Sequence, residues 1–122
     1  MQQAAQAYGA VAKQIANPRD LESGLLLKAA SRLQAIHDNW DAERGNLYDA
    51  LLYNRKLWIV FMTSATSKDN PLPPAIRQNI ANLGIFIMNQ TVSLTENPQP
   101  ERLKVLININ REIAAGLRNA AG

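Results

Sequence analysis

Asn46–Thr66, NLYDALLYNRKLWIVFMTSAT, is the longest strongly apolar stretch of the chain and lies near its middle. Turned at about 100° per residue, it gathers Leu47, Ala50, Leu51, Leu57, Trp58, Phe61, Met62 and Ala65 on one side, with Asn54 in the middle of that stripe. Ile59 and Val60 favour strands, but the run does not alternate and good helix formers flank it, so it reads as a central helix. On the other side Tyr48, Leu52, Tyr53, Ile59 and Val60 leave only Asp49, Arg55 and Lys56 as plainly solvent-seeking groups. A helix apolar almost all round is expected to be buried on several sides.

Upstream, Asp41–Asn46 is polar and reads as a short connection, with Asn46 capping the central helix. Before it, Asn17-Pro18-Arg19-Asp20 has the form of a helix start, with an Asn cap, Pro at the first helical position and an acid facing the dipole. That helix carries Leu25, Leu26, Ala29, Leu33, Ile36 and Trp40 on one face and runs to Asp38 or Trp40. His37 lies off the stripe, where a surface histidine suits a helix C-terminus. A thin stripe of Ala4, Tyr8, Val11 and Ile15 predicts a short, weakly docked helix within residues 1–16, laid over the bundle or, as the second reading, a displaceable arm.

Downstream, Pro71, Pro73 and Pro74 stop the central helix and stiffen the crossing to a fourth helix. The fourth places Ile76, Ile80, Leu83, Phe86, Ile87 and Leu94 on one face and ends near Thr95. Gly84 inside it weakens the helix by about 1 kcal/mol against alanine, a cost that close approach of a neighbouring helix would offset. After Asn97-Pro98-Gln99-Pro100, a last helix carries Leu103, Leu106, Ile107, Ile113, Ala114 and Leu117, with Asn110 central among them. The expected fold is all-α, one compact domain over residues 1–122, a bundle of about five helices with short connections capped by Pro and Asn.

The 122 residues are enough for a core without staples. With no cysteine and one histidine, disulfides, thiolate chemistry and any two-imidazole site are excluded. The acids sit early in helices or in turns, where capping explains them, and there is no acid/base dyad, nucleophile elbow, P-loop or dinucleotide fingerprint. The chain therefore reads as non-enzymatic, without cofactor or metal. The net charge of +3 is scattered apart from the pair Arg55 and Lys56, which argues against direct nucleic-acid binding. No run reaches the roughly 20 apolar residues of a membrane span and no signal peptide is evident, so the expectation is a cytoplasmic protein without membrane insertion.

Two groups of residues invite a functional reading. Asn54 and Asn110 are amides inside apolar stripes, with Asn79 at the edge of a third. Unpaired burial of such a group costs on the order of 1 to 3 kcal/mol, so each needs a partner. That partner is either an internal network setting helix register or the backbone of a bound protein. Tyr48, Tyr53, Trp40 and Trp58 with Arg55 and Lys56 are the residue types that anchor interfaces. Trp40 and Trp58 read as core, whereas Tyr53, Arg55 and Lys56, on the less constrained side of the central helix, divide evenly between bundle core and interface.

NPRDLE at Asn17–Glu22, LLLKAASRLQ at Leu25–Gln34, LLYNRKLW at Leu51–Trp58, DNPLPPAIRQNIANLG at Asp69–Gly84 and LININREIAAGL at Leu106–Leu117 together resemble the FlaF family, flagellar biosynthesis regulators of alphaproteobacteria. The resemblance covers nearly the whole chain. It implies a cytoplasmic, non-enzymatic protein required for flagellin production and export, acting alongside the companion regulator FlbT, and foremost a flagellin-binding export chaperone. The alternative is a post-transcriptional regulator acting on flagellin messenger RNA directly or through FlbT. Flagellin's long amphipathic terminal helices would suit a groove on a helical bundle. The side of the central helix with the fewest intramolecular claims, Tyr48, Leu52, Tyr53, Arg55, Lys56 and Ile59, is the expected binding face.

Overall fold

The computed structural model describes residues 18–121, and the helix expected within residues 1–16 and the Asn17 cap lie outside them. Four long helices follow one another: α1 (Pro18–Asp38), α2 (Leu47–Ala65), α3 (Pro74–Glu96) and α4 (Leu103–Ala121). The link from α1 to α2 is a helical turn, Trp40–Glu43, running into the 3₁₀ turn Arg44–Asn46, and a second 3₁₀ turn, Pro100–Arg102, leads into α4. Four of the about five expected helices thus fall within the described residues, and the fold class is all-α.

The helices form two antiparallel pairs. α1 lies along α4, with Ser23 bonded to the Ala114 carbonyl and Leu26 level with Asn110, so numbers rise on one helix as they fall on the other. α2 lies along α3 in the same sense: Arg77 reaches the Ala65 carbonyl near one end, and Leu51 faces Thr91 near the other. α1 and α2 join the pairs, while α3 and α4 scarcely touch. The core between them is built from Leu26, Leu33, Leu51, Trp58, Ile87, Leu94, Leu106 and Leu117, all essentially without solvent exposure. Trp58 meets Phe61 edge to face, with ring centroids 6.1 Å apart.

Several local expectations are corrected. Asn46 makes no side-chain cap, because the chain enters α2 already helical from the 3₁₀ turn; its amide instead donates to Glu43 Oε2 at 2.6 Å. The proline crossing is held by Asn70, which donates to the Ser64 carbonyl and accepts from the Leu72 amide, and by Arg77, which donates to the carbonyls of Ala65 and Ser67. Orphan carbonyls at the end of α2 are satisfied in this way, and Leu72 is drawn into the core. Phe86 drops out of the α3 stripe and is 40% exposed, since α4 does not cover that side of α3. Trp40 is half-buried rather than core, with Arg44 stacked over its ring.

Gly84 does face a close neighbour, but it is a side chain. A Cβ there would stand 2.3 Å from both Cγ and Sδ of Met62, so α3 leaves room for the thioether of α2. α2 itself is not buried on several sides as its composition suggests. Tyr48, Ile59 and Val60 are exposed, because α1 and α3 flank the helix and, among the described residues, nothing covers its back.

Candidate functional site

α2 presents three differently built sides, and each follows from which neighbour it meets. Toward the core, Asn54 and Asn110 answer each other. Trp58 Nε1 donates to Asn110 Oδ1 at 2.9 Å, which turns the Asn110 amide nitrogen toward Asn54 Oδ1 at 2.7 Å and, more weakly, toward the Leu26 carbonyl at 3.4 Å. An indole can only donate, so it fixes the orientation of the first amide and through it the second. All three side chains are fully buried, and the network pins α1, α2 and α4 at one level. Asn54 Nδ2 is left without a partner. The internal-network reading of the two amides is therefore the one realised, while Asn79 is exposed and takes no part in it.

Toward α3, the backbones leave a shallow open groove. Tyr48, Leu51, Leu52 and Arg55 of α2 face Thr91, Val92, Thr95 and Glu96 of α3. Thr91 donates its hydroxyl to the Ile87 carbonyl and Thr95 to the Thr91 carbonyl, so their polar atoms are engaged within α3. Apolar surface consequently dominates the groove, with Arg55 and Glu96 giving one charge of each sign. Tyr48 at 62% and Val92 at 56% exposure are large apolar surfaces left in water. Ile59, seven residues beyond Leu52, and Ile85, seven before Val92, extend the same faces and are also exposed. Such a surface can bind the apolar stripe of an amphipathic helix.

Toward α1, the ring of Tyr53 carries two cations: Arg32 Cζ lies 5.1 Å and Lys28 Nζ 5.9 Å from its centroid. The six residues expected to form one binding face are thus divided. Tyr48, Leu52 and Arg55 come together in the groove, and Ile59 continues its line. Tyr53 turns to the α1 side, and Lys56, exposed, follows it one turn on. The α3 wall, Thr91, Val92, Thr95 and Glu96, was not among the expected residues. Its sequence signal was Ile85 and Val92, an apolar pair two turns apart that lies off the core stripe.

The carboxylates of the described chain are exposed or half-buried. Asp38, at the end of α1, has its carboxyl held below the ordinary value of 3.8 by hydrogen bonds from His37 first and Gln34 second. That arrangement closes a helix end and suits no proton transfer in a cleft. Among the described residues no group of three or more His, Cys, Asp or Glu could hold a metal ion, and no helix is long and apolar enough to cross a membrane.

Comparison with protein families gives one finding that spans almost the whole chain: the family model described as flagellar protein FlaF matches residues 4–117. No curated protein and no solved structure matches.

Proposed function

Because the chain belongs to the FlaF family of flagellar proteins, we propose that it is a cytoplasmic, non-catalytic export chaperone that binds flagellin and so supports flagellin synthesis and secretion. The observation that carries this reading is the open apolar groove between α2 and α3. A secreted subunit with amphipathic terminal helices must keep its apolar stripes covered before assembly, and a groove with large exposed apolar side chains on both walls offers that cover. Tyr48 is the anchor, combining a large rigid body with a polar tip at little entropic cost. Arg55 and Glu96, one on each wall, set the direction of the bound helix by pairing with its flanking charges.

The test is binding of the purified protein to unassembled flagellin and to its isolated terminal segments, measured by calorimetry. Tight binding of a terminal segment is expected, with Val92→Glu weakening it about a hundredfold while changing stability by no more than about 0.5 kcal/mol. If flagellin and all its fragments fail to bind, the chaperone reading fails. Salt dependence separates it from the alternative regulator of flagellin messenger RNA: apolar capture is nearly indifferent to salt, whereas RNA binding weakens steeply with it.

A further inference from the structure

The α1 side of α2 holds cations that meet an aromatic ring but, among the described residues, no carboxylate. Lys28 and Arg32 stand one turn apart on α1 and both lean over Tyr53; Lys56 follows Tyr53 by one turn on α2. Like charges at this spacing repel, so helix stability does not explain the pair. Among the described residues the ion pairs are Arg19–Glu22 and His37–Asp38, and no carboxylate comes within ion-pair distance of Lys28, Arg32 or Lys56. Asp49, one turn before Tyr53, is the nearest acid along α2 and makes no such pair.

The surface has an apolar end as well. α1 and α2 run antiparallel, because their short link returns the chain at once and Lys28 and Arg32 meet Tyr53. Leu21, two turns before Lys28, and Val60, two turns after Tyr53, are therefore carried toward the same level. Both are exposed, Leu21 at 50% and Val60 at 63%. Cations around an aromatic ring at one end and two wet aliphatic side chains at the other form a ridge with a direction.

We infer that this α1–α2 ridge is a second docking surface, distinct from the α2–α3 groove, that takes an acidic amphipathic helix of a protein partner. Carboxylates one turn apart on that helix pair with Lys28 and Arg32, and apolar side chains about two turns further on cover Leu21 and Val60. Charge complementarity selects the occupant. A nucleic acid fits less well: the cations form one local cluster rather than a track for successive phosphates, and Tyr53 is already covered by cations that would obstruct base stacking. α2 would then hold two partners at once, one on each flank.

The test uses the full chain, isotope-labelled for NMR, and two synthetic helical peptides. One carries glutamates one turn apart followed two turns on by leucines; the other has glutamine in place of glutamate. The glutamate peptide should shift the resonances of Lys28, Arg32, Tyr53 and Lys56, and the glutamine peptide should bind about tenfold more weakly. The double variant Lys28→Glu/Arg32→Glu should lose the glutamate peptide and gain a lysine version of it, an exchange that a misfolded chain cannot show. Val92→Glu, on the far wall of the groove, should leave the response unchanged, so failure of the groove and failure of the ridge are told apart. Equal binding of both peptides, no binding of either, shifts confined to the groove, a stronger response to a single-stranded RNA oligonucleotide, or self-association through the ridge would each overturn the inference.

Discussion

Where α1 meets α4, side chains such as Leu26, Leu106, Ala114 and Leu117 are sealed from water, and the polar groups among them, Ser23 and Asn110, are bonded across the interface. Where α2 meets α3, the contact rests on Met62 lodged against Gly84 and on Leu51, Ile87 and Leu94 beneath, while Tyr48, Ile59, Ile85 and Val92 stay wet above. Both are antiparallel helix pairs of similar length, yet the first seals the apolar side chains along its seam and the second leaves large ones exposed along one edge. A pair can be closed only where its neighbours cover it, and among the described elements α3 has α2 as its one extensive neighbour. Stability therefore concentrates in the first pair and accessible surface in the second.

The sharpest way to break the first pair is at its polar pin. Asn110→Ala orphans the Trp58 indole and the Asn54 carbonyl in one step and leaves a cavity, so urea unfolding should show a loss of about 3 kcal/mol or more. Asn54→Leu removes the acceptor together with the unpartnered donor beside it and should lose only about 1 kcal/mol. Native-state hydrogen exchange sharpens the contrast: amides of α3 should open at about 2 kcal/mol lower free energy than those of α1 and α4. Equal protection of the two pairs would remove the distinction altogether.

Smaller effects probe the open pair and the exposed end of the closed one. Gly84→Ala should destabilise by about 1 kcal/mol because Met62 must move, and in a Met62→Ala background the same change should stabilise by a similar amount through helix propensity. A denaturation cycle over the four proteins measures the coupling. The smallest effect concerns Asp38, whose carboxyl titrates below its ordinary value in the folded chain. Its contribution is present above 3.8 and is lost as pH falls through the lower folded value, and Asp38→Asn should remove that acid-side slope from a stability–pH curve.

Helical period and proline punctuation made the fold class and the four described helices legible, and the stripe of α4 is buried as read, from Leu103 to Leu117. The asparagine pair was legible too, since a buried amide demands a partner and only another helix could supply one. Which flank each neighbour would cover was not. Phe86 and Val60 are as apolar as their buried neighbours, and periodicity cannot say that α4 stops short of one or that no described residue overlies the other. Ser23 and Thr91 were missed in the core for a related reason: the Ser23 hydroxyl is satisfied by a carbonyl of α4, which only docking supplies, and the Thr91 hydroxyl by its own helix, so that either residue can be covered. The expected binding face was likewise divided because Tyr53 answers to α1 and Tyr48 to α3.

The division of α2 among core, groove and ridge bears on which changes of length the gene can absorb. Deleting a single residue between Tyr53 and Trp58 turns everything beyond it by about 100°. Trp58 would leave Asn110, Arg55 or Ile59 would leave the line of the groove, and Lys56 would leave the ridge together. Insertions and deletions should therefore be tolerated least within this half of α2, and far better in the polar turn Trp40–Glu43, whose residues are not buried.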